Sequence, residues 1–169
     1  MKKYYSIILV LFVILSCKKT DNSRSMNDLG ININETKIKA LVYGEEGAYQ
    51  ALSITYLDFP NEEFLPIALE MANKHNYPTA YFDVYFTLIC MENLNEEYDS
   101  IEKWKNINPK IKRFALEYLL SGAELKHEQS IETLKEYYLP NKKLSEILYS
   151  EHFLLEKYST ILTQLEQTE

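Results

Sequence analysis

Residues 122–138 read Gly-Ala-Glu-Leu-Lys-His-Glu-Gln-Ser-Ile-Glu-Thr-Leu-Lys-Glu-Tyr-Tyr, and a series of spaced positions runs through them: Ala123, Lys126, Ser130, Leu134 and Tyr138. The same order of side-chain sizes occurs twice upstream. Ala40, Gly44, Ala48, Leu52 and Tyr56 are spaced four apart, and Ala72, Asn76, Ala80, Val84 and Leu88 repeat that spacing 32 residues later. The third series is one residue shorter in its first step. A small residue, a turn residue, a second small residue, an aliphatic one and a large one describe two helices that meet at a tight corner. Small side chains let the backbones approach, and the larger ones fill the interior of the hairpin. A period in the thirties indicates helical repeats that stack to bury a shared core.

Outward from these series the helical period continues and no segment alternates at two. Leu65, Leu69 and Ala72 follow it, as do Leu116 with Leu120 and Leu144 with Leu148. Breaks fall at Asp58-Phe59-Pro60-Asn61, Asn76-Tyr77-Pro78, Asn106-Ile107-Asn108-Pro109 and Leu139-Pro140-Asn141. Each joins a proline to Asn or Asp, which suits a capping residue followed by a proline in a first helical turn. The expected fold is all-α: antiparallel helical hairpins stacked as a short α-solenoid of about seven or eight helices.

Gly44 to Tyr56 and, more strongly, Gly122 to Tyr138 resemble the Sel-one-like branch of the tetratricopeptide repeats. That family has an Ala-Ala-Glu-x-Gly corner followed by an alanine, a leucine and a tyrosine at four-residue steps. Lys126 and Asn76 stand where the family has its corner glycine, and 93–108 is irregular, so the array is a divergent one. The resemblance implies an α-solenoid that binds other proteins and has no catalytic centre.

At the N-terminus, Lys2 and Lys3 precede an apolar run from Ile7 to Leu15, and Ser16-Cys17 follows. This is the pattern of an export signal, with a run too short to cross a bilayer as a helix. Ile14-Leu15-Ser16-Cys17 resembles the lipobox of bacterial lipoproteins, which implies removal of 1–16 and acylation of Cys17. Lys18 to Glu35 is polar and unpatterned, so 17–35 reads as an anchored tether, 36–140 as the helical array and 141–169 as a C-terminal cap. Lys18 in second place, where the enteric retention rule has aspartate, favours an outer membrane, with the chain facing the periplasm.

The chain of 169 residues carries 18 basic and 25 acidic side chains, a formal charge of −7. Loss of 1–16 removes Lys2 and Lys3 and deepens it to −9. Nucleic-acid binding needs a basic face and is excluded on this balance. With Cys17 acylated, Cys90 has no disulfide partner, and its apolar neighbours mark it as a buried small hydrophobe.

No spacing marks a catalytic, cofactor or metal site. His75, His127 and His152 are far apart; Glu124, His127 and Glu128 read as a solvated helix end, since a zinc site needs three or four convergent ligands. His75 follows Lys74 where basic residues complement a helix dipole. Tyr49, Tyr81 and Tyr85 are the candidate partner-binding residues, a ladder with polar tips, against the plainer reading that they pack successive hairpins. Trp104 reads as a core anchor. Positions 144, 148, 155, 158, 162 and 165 form an apolar stripe that suits either a solenoid cap or a homodimer through 144–165. The leading expectation is a lipid-anchored envelope scaffold that holds another protein. An immunity protein against a periplasmic toxin is the alternative, and an envelope enzyme comes third.

Overall fold

A computed structural model describes residues 27, 29–56, 63–92, 107–138 and 152–166. Among these residues every regular element is helical and no strand occurs. The helices are α1 (Ile33–Tyr43), α2 (Glu46–Tyr56), α3 (Phe64–His75), α4 (Pro78–Glu92), α5 (Pro109–Glu124), α6 (Glu128–Thr133), α7 (His152–Lys157) and α8 (Ser159–Glu166). A π-helical turn, Leu134–Tyr138, continues α6. Cys17, the 1–16 signal, Trp104 and the stripe positions 144 and 148 lie outside the described residues.

Local chemistry sets the helix starts. The Asn32 carboxamide accepts from the Glu35 amide at 3.3 Å, and Glu35 pairs with Lys39 one turn on at 2.8 Å. α1 therefore begins at Ile33, inside the segment expected as tether, because Asn32 satisfies an otherwise orphaned N–H. Asn108 caps α5 in the same way, accepting from the Lys110 amide at 3.0 Å, and Pro109 takes the first helical position, where no donor is needed.

Three pairs of helices, α1/α2, α3/α4 and α5/α6, are joined by two or three residues and pack on each other. Each corner turns on one residue with left-handed backbone: Gly44 at φ 70°, Asn76 at φ 53° and Lys126 at φ 61°. These are the turn residues of the three sequence series. At the first two corners the bonding is alike. Gly44 N–H donates to Ala40 O and Glu45 N–H to Lys39 O, while Asn76 N–H donates to Ala72 O and Tyr77 N–H to Met71 O. At the third, Lys126 N–H reaches three residues back to Ala123 O and His127 N–H five back to Gly122 O, the Schellman pattern. The residue missing from the third series is thus the residue by which its last turn is tighter.

Packing accounts for most of the remaining positions. Ala40, Leu52, Ala72, Ala80, Val84, Ala123, Ser130 and Leu134 are all fully buried. Gly122 lies where α4, α5 and α6 converge: a Cβ there would stand 2.5 Å from Ser130 Oγ and 3.3 Å from Tyr81 Cβ. Gly44 is constrained twice, by its φ and because an added Cβ would stand 2.5 Å from His75 Nδ1. His75 Nε2 and Lys74 Nζ lie 2.9 and 2.8 Å from Leu41 O, so the basic end of α3 also satisfies a terminal carbonyl of α1. Cys90 is buried.

α4 lies along α5, which also receives α8. Leu154, Tyr158, Leu162 and Leu165 are buried. Tyr158 Oη lies 2.6 Å from Ser121 Oγ, and Lys157 donates to Glu117 at 2.9 Å. Of the C-terminal stripe, Tyr158, Leu162 and Leu165 are therefore buried within their own chain.

Gly44→Ala is expected to destabilise residues 17–169 by about 2 kcal/mol in urea unfolding, since it adds a left-handed penalty to a collision with the His75 ring. Lys126→Gly should act oppositely and stabilise by about 1 kcal/mol, because a side chain is removed from a backbone conformation that disfavours it.

Candidate functional site

Tyr49, Tyr81 and Tyr85 do not form one exposed ladder. Tyr49 is fully buried and Tyr85 nearly so, while Tyr81 is half-buried. The reason is helical phase: Tyr49 lies three residues before Leu52, and Tyr85 three before Leu88, so each shares the inward face of an aliphatic core residue. Tyr49 stacks on Phe64 at 5.9 Å and meets Tyr77 edge-on at 5.4 Å. Its hydroxyl donates to Asp83 at 2.6 Å.

Asp83 is the most perturbed carboxyl among the described residues. Burial raises its pKa from 3.8 to about 6, against hydrogen bonds from Tyr49 and Ser53 that favour the charged form. Burial and the adjoining carboxylate push the Tyr49 phenol upward, so it stays a donor. This buried link ties α2 to α4. It holds a proton-accepting group but presents no second acid, base or nucleophile on an open surface, and it reads as a structural device.

Tyr81 belongs to a different group, at the junction of α3, α4 and α5. Its hydroxyl donates to Asn76 Oδ1 at 2.9 Å, and its ring lies 5.8 Å from that of Tyr118. Tyr118 and Asn73 exchange hydrogen bonds, Asn73 Nδ2 donating at 2.8 Å and Tyr118 Oη donating to Oδ1 at 3.0 Å. Phe114 packs edge-on against Tyr118 at 4.9 Å and remains 40% exposed. Phe114, Tyr118 and Tyr81, with Asn73 and Asn76, form a surface of aromatic rings held by carboxamides. Rings fixed in this way offer apolar contact area with little conformational entropy left to lose on binding.

Sequence reasoning found Tyr81 and missed Phe114 and Tyr118. Their signal is present: they lie four apart on α5, opposite in phase to Ala115, Leu116, Leu119 and Leu120, which are all buried. A second aromatic cluster joins Phe82 to Phe86, stacked at 6.1 Å, and to the His127 ring at 5.7 Å. His127 is also the cap of α6. Its Nδ1 accepts from the Ser130 amide at 3.4 Å, which requires a neutral ring, and burial lowers its pKa accordingly.

No group of three or more His, Cys, Asp or Glu gathers among the described residues, and none of their helices is long and apolar enough to cross a membrane. No family model, curated protein or solved structure matches this chain.

The perturbed Asp83 sets a pH dependence. A carboxyl whose folded pKa lies above its unfolded value adds stability that is complete below pH 3.8 and lost as pH rises through about 6. Relative to Asp83→Asn, the unsubstituted chain should gain on the order of 2 kcal/mol between pH 8 and pH 4.5. Unfolding midpoints of the two chains across that range provide the check. His127, which acts in the opposite direction as pH falls below 6.5, cancels because both chains carry it.

Proposed function

We propose that the protein is a lipid-anchored envelope protein with a divergent Sel-one-like helical array, and that it holds another protein through the Phe114–Tyr118–Tyr81 surface. The repeated corner carries the solenoid half of this reading. Three hairpins reverse through a left-handed residue at corresponding places, with the first small residue (Ala40, Ala72, Ala123) and the aliphatic residue (Leu52, Val84, Leu134) buried around each. Stacked hairpins of that kind leave one helix of each pair facing an extended surface on which partners bind. Asn73 on α3 bonded to Tyr118 on α5 joins the first helices of adjacent hairpins, and Lys74 on α3 reaches α1 similarly. On this reading α7 and α8 cap the last hairpin, with Leu154, Tyr158, Leu162 and Leu165 covering apolar surface that an uncapped array exposes.

The lipobox-like Ile14-Leu15-Ser16-Cys17 supports the anchor, with the chain on the periplasmic side of an outer membrane. An immunity role against a basic periplasmic toxin is the second reading. It is favoured by the placement of charge: residues 57–169 hold twenty acidic and eleven basic side chains. An acidic body of that kind speeds capture of a basic partner.

Metabolic labelling with a fatty-acid probe should mark the chain and fail to mark Cys17→Ser; equal labelling of both would remove the anchor from the account. For the surface, Phe114→Ala with Tyr118→Ala should reduce recovery of a crosslinked envelope partner at least tenfold, the scale of losing one or two central aromatic anchors. Tyr85→Ala is not a clean control, since it opens the core. Exposed Ile54→Ser on α2 is, and it should leave recovery unchanged.

A further inference from the structure

Five of the eight large hydrophobic side chains exposed among the described residues fall between Leu29 and Tyr43. On α1, Ile38 is 53% exposed, Val42 one turn later 56%, and the adjoining Tyr43 70%. Ile38 and Val42 lie on the side of α1 opposite Ala40, the helix's buried residue, so this is an apolar face turned away from the body. The charged residues beside it, Glu35 and Lys39, neutralise each other at 2.8 Å.

We infer that this face of α1 docks on the surface of the phospholipid bilayer to which Cys17 attaches the chain, as a second contact beside the lipid. The inference rests on the lipoprotein reading for what brings α1 to the membrane. Three observations select a bilayer as the occupant. First, fifteen residues separate Cys17 from Ile33. Fully extended they reach at most about 50 Å. α1 is the first helix among the described residues after the attachment point, so its effective concentration at the surface is high and a weak contact suffices.

Second, the charge is divided. Residues 17–56 carry five basic and five acidic side chains, whereas 57–169 carry eleven basic and twenty acidic. An anionic surface repels the second part and leaves the first indifferent, which favours approach through α1. Third, the composition fits the interface: two aliphatic side chains on one side of α1, and the 70% exposed Tyr43 at its C-terminal end, a residue type suited to headgroup level.

The test supplies the anchor chemically, so that it does not depend on acylation in the cell. Residues 17–169, with methyl-labelled Ile and Val, are coupled through Cys17 to a maleimide-bearing lipid in phosphatidylethanolamine/phosphatidylglycerol vesicles that carry a nitroxide lipid. Cys90 is buried and leaves Cys17 as the accessible thiol. Methyl signals of Ile38 and Val42 should be broadened at least fivefold more than those of Ile131 and Ile161. In Ile38→Ser with Val42→Ser, the remaining α1 probe, Ile33, should lose its excess broadening while the Ile67 and Ile131 shifts stay fixed, which shows an intact fold. Even broadening across the chain, or none in α1, overturns the docking. So does broadening of Ile38 and Val42 by spin-labelled copies of the free chain without vesicles, which would assign the face to a second copy. Loss of fatty-acid labelling in cells with docking retained on vesicles would count against the anchor alone.

Discussion

Everything in this fold depends on reversing a helix within two or three residues while keeping the two backbones close enough to share a core. Only a left-handed residue allows that reversal while the carbonyls of the last turn remain bonded, and only small side chains at the contact let the helices approach. Gly44, Asn76 and Lys126 meet the first condition, and Ala40, Ala72, Ala123, Ala80 and Ser130 the second. The rest follows from where those corners lie. They place α4 on α5, bring Tyr81 beside Tyr118, and leave Gly122 with no room for a Cβ. Asn76 carries a modest cost at its corner because asparagine tolerates this conformation, whereas Lys126 is held there by the packing on either side.

The corners were legible in the sequence because size and spacing there are dictated by geometry. A glycine is not required at each corner, so the series was visible only when small, turn, small and aliphatic positions were read together. The shorter first step of the third series was also visible, and its physical meaning, a tighter terminal turn at Lys126, needed the backbone. The aromatic residues were less legible. Tyr49 and Tyr81 occupy equivalent places after their corners, yet Tyr49 is covered by Phe64 and bonded to Asp83, while Tyr81 is half-buried, tilted against Tyr118 and bonded to Asn76. That difference comes from which helix follows in space, and periodicity carries no information about it. The start of α1 was not legible for a local reason: Asn32 caps the helix ahead of the first clear hydrophobic spacing.

Two polarities run along the chain and point the same way. Exposed apolar side chains concentrate in the first helix, and net negative charge concentrates after the first hairpin. Within that acidic part, the aromatic surface on α4 and α5 is held by carboxamides and not by ion pairs, so salt has little hold on its shape.

The central claim is that Lys126 breaks what would otherwise be one continuous helix into a hairpin. Backbone chemical shifts and the intraresidue HN–Hα Overhauser effect at Lys126 measure this most directly. The account predicts left-handed values at Lys126, flanked by helical ones through Glu124 and again from Glu128, with a cross-peak between Gly122 and the Ser130 side chain. Unbroken right-handed helical values from Pro109 to Thr133, without that cross-peak, would contradict it.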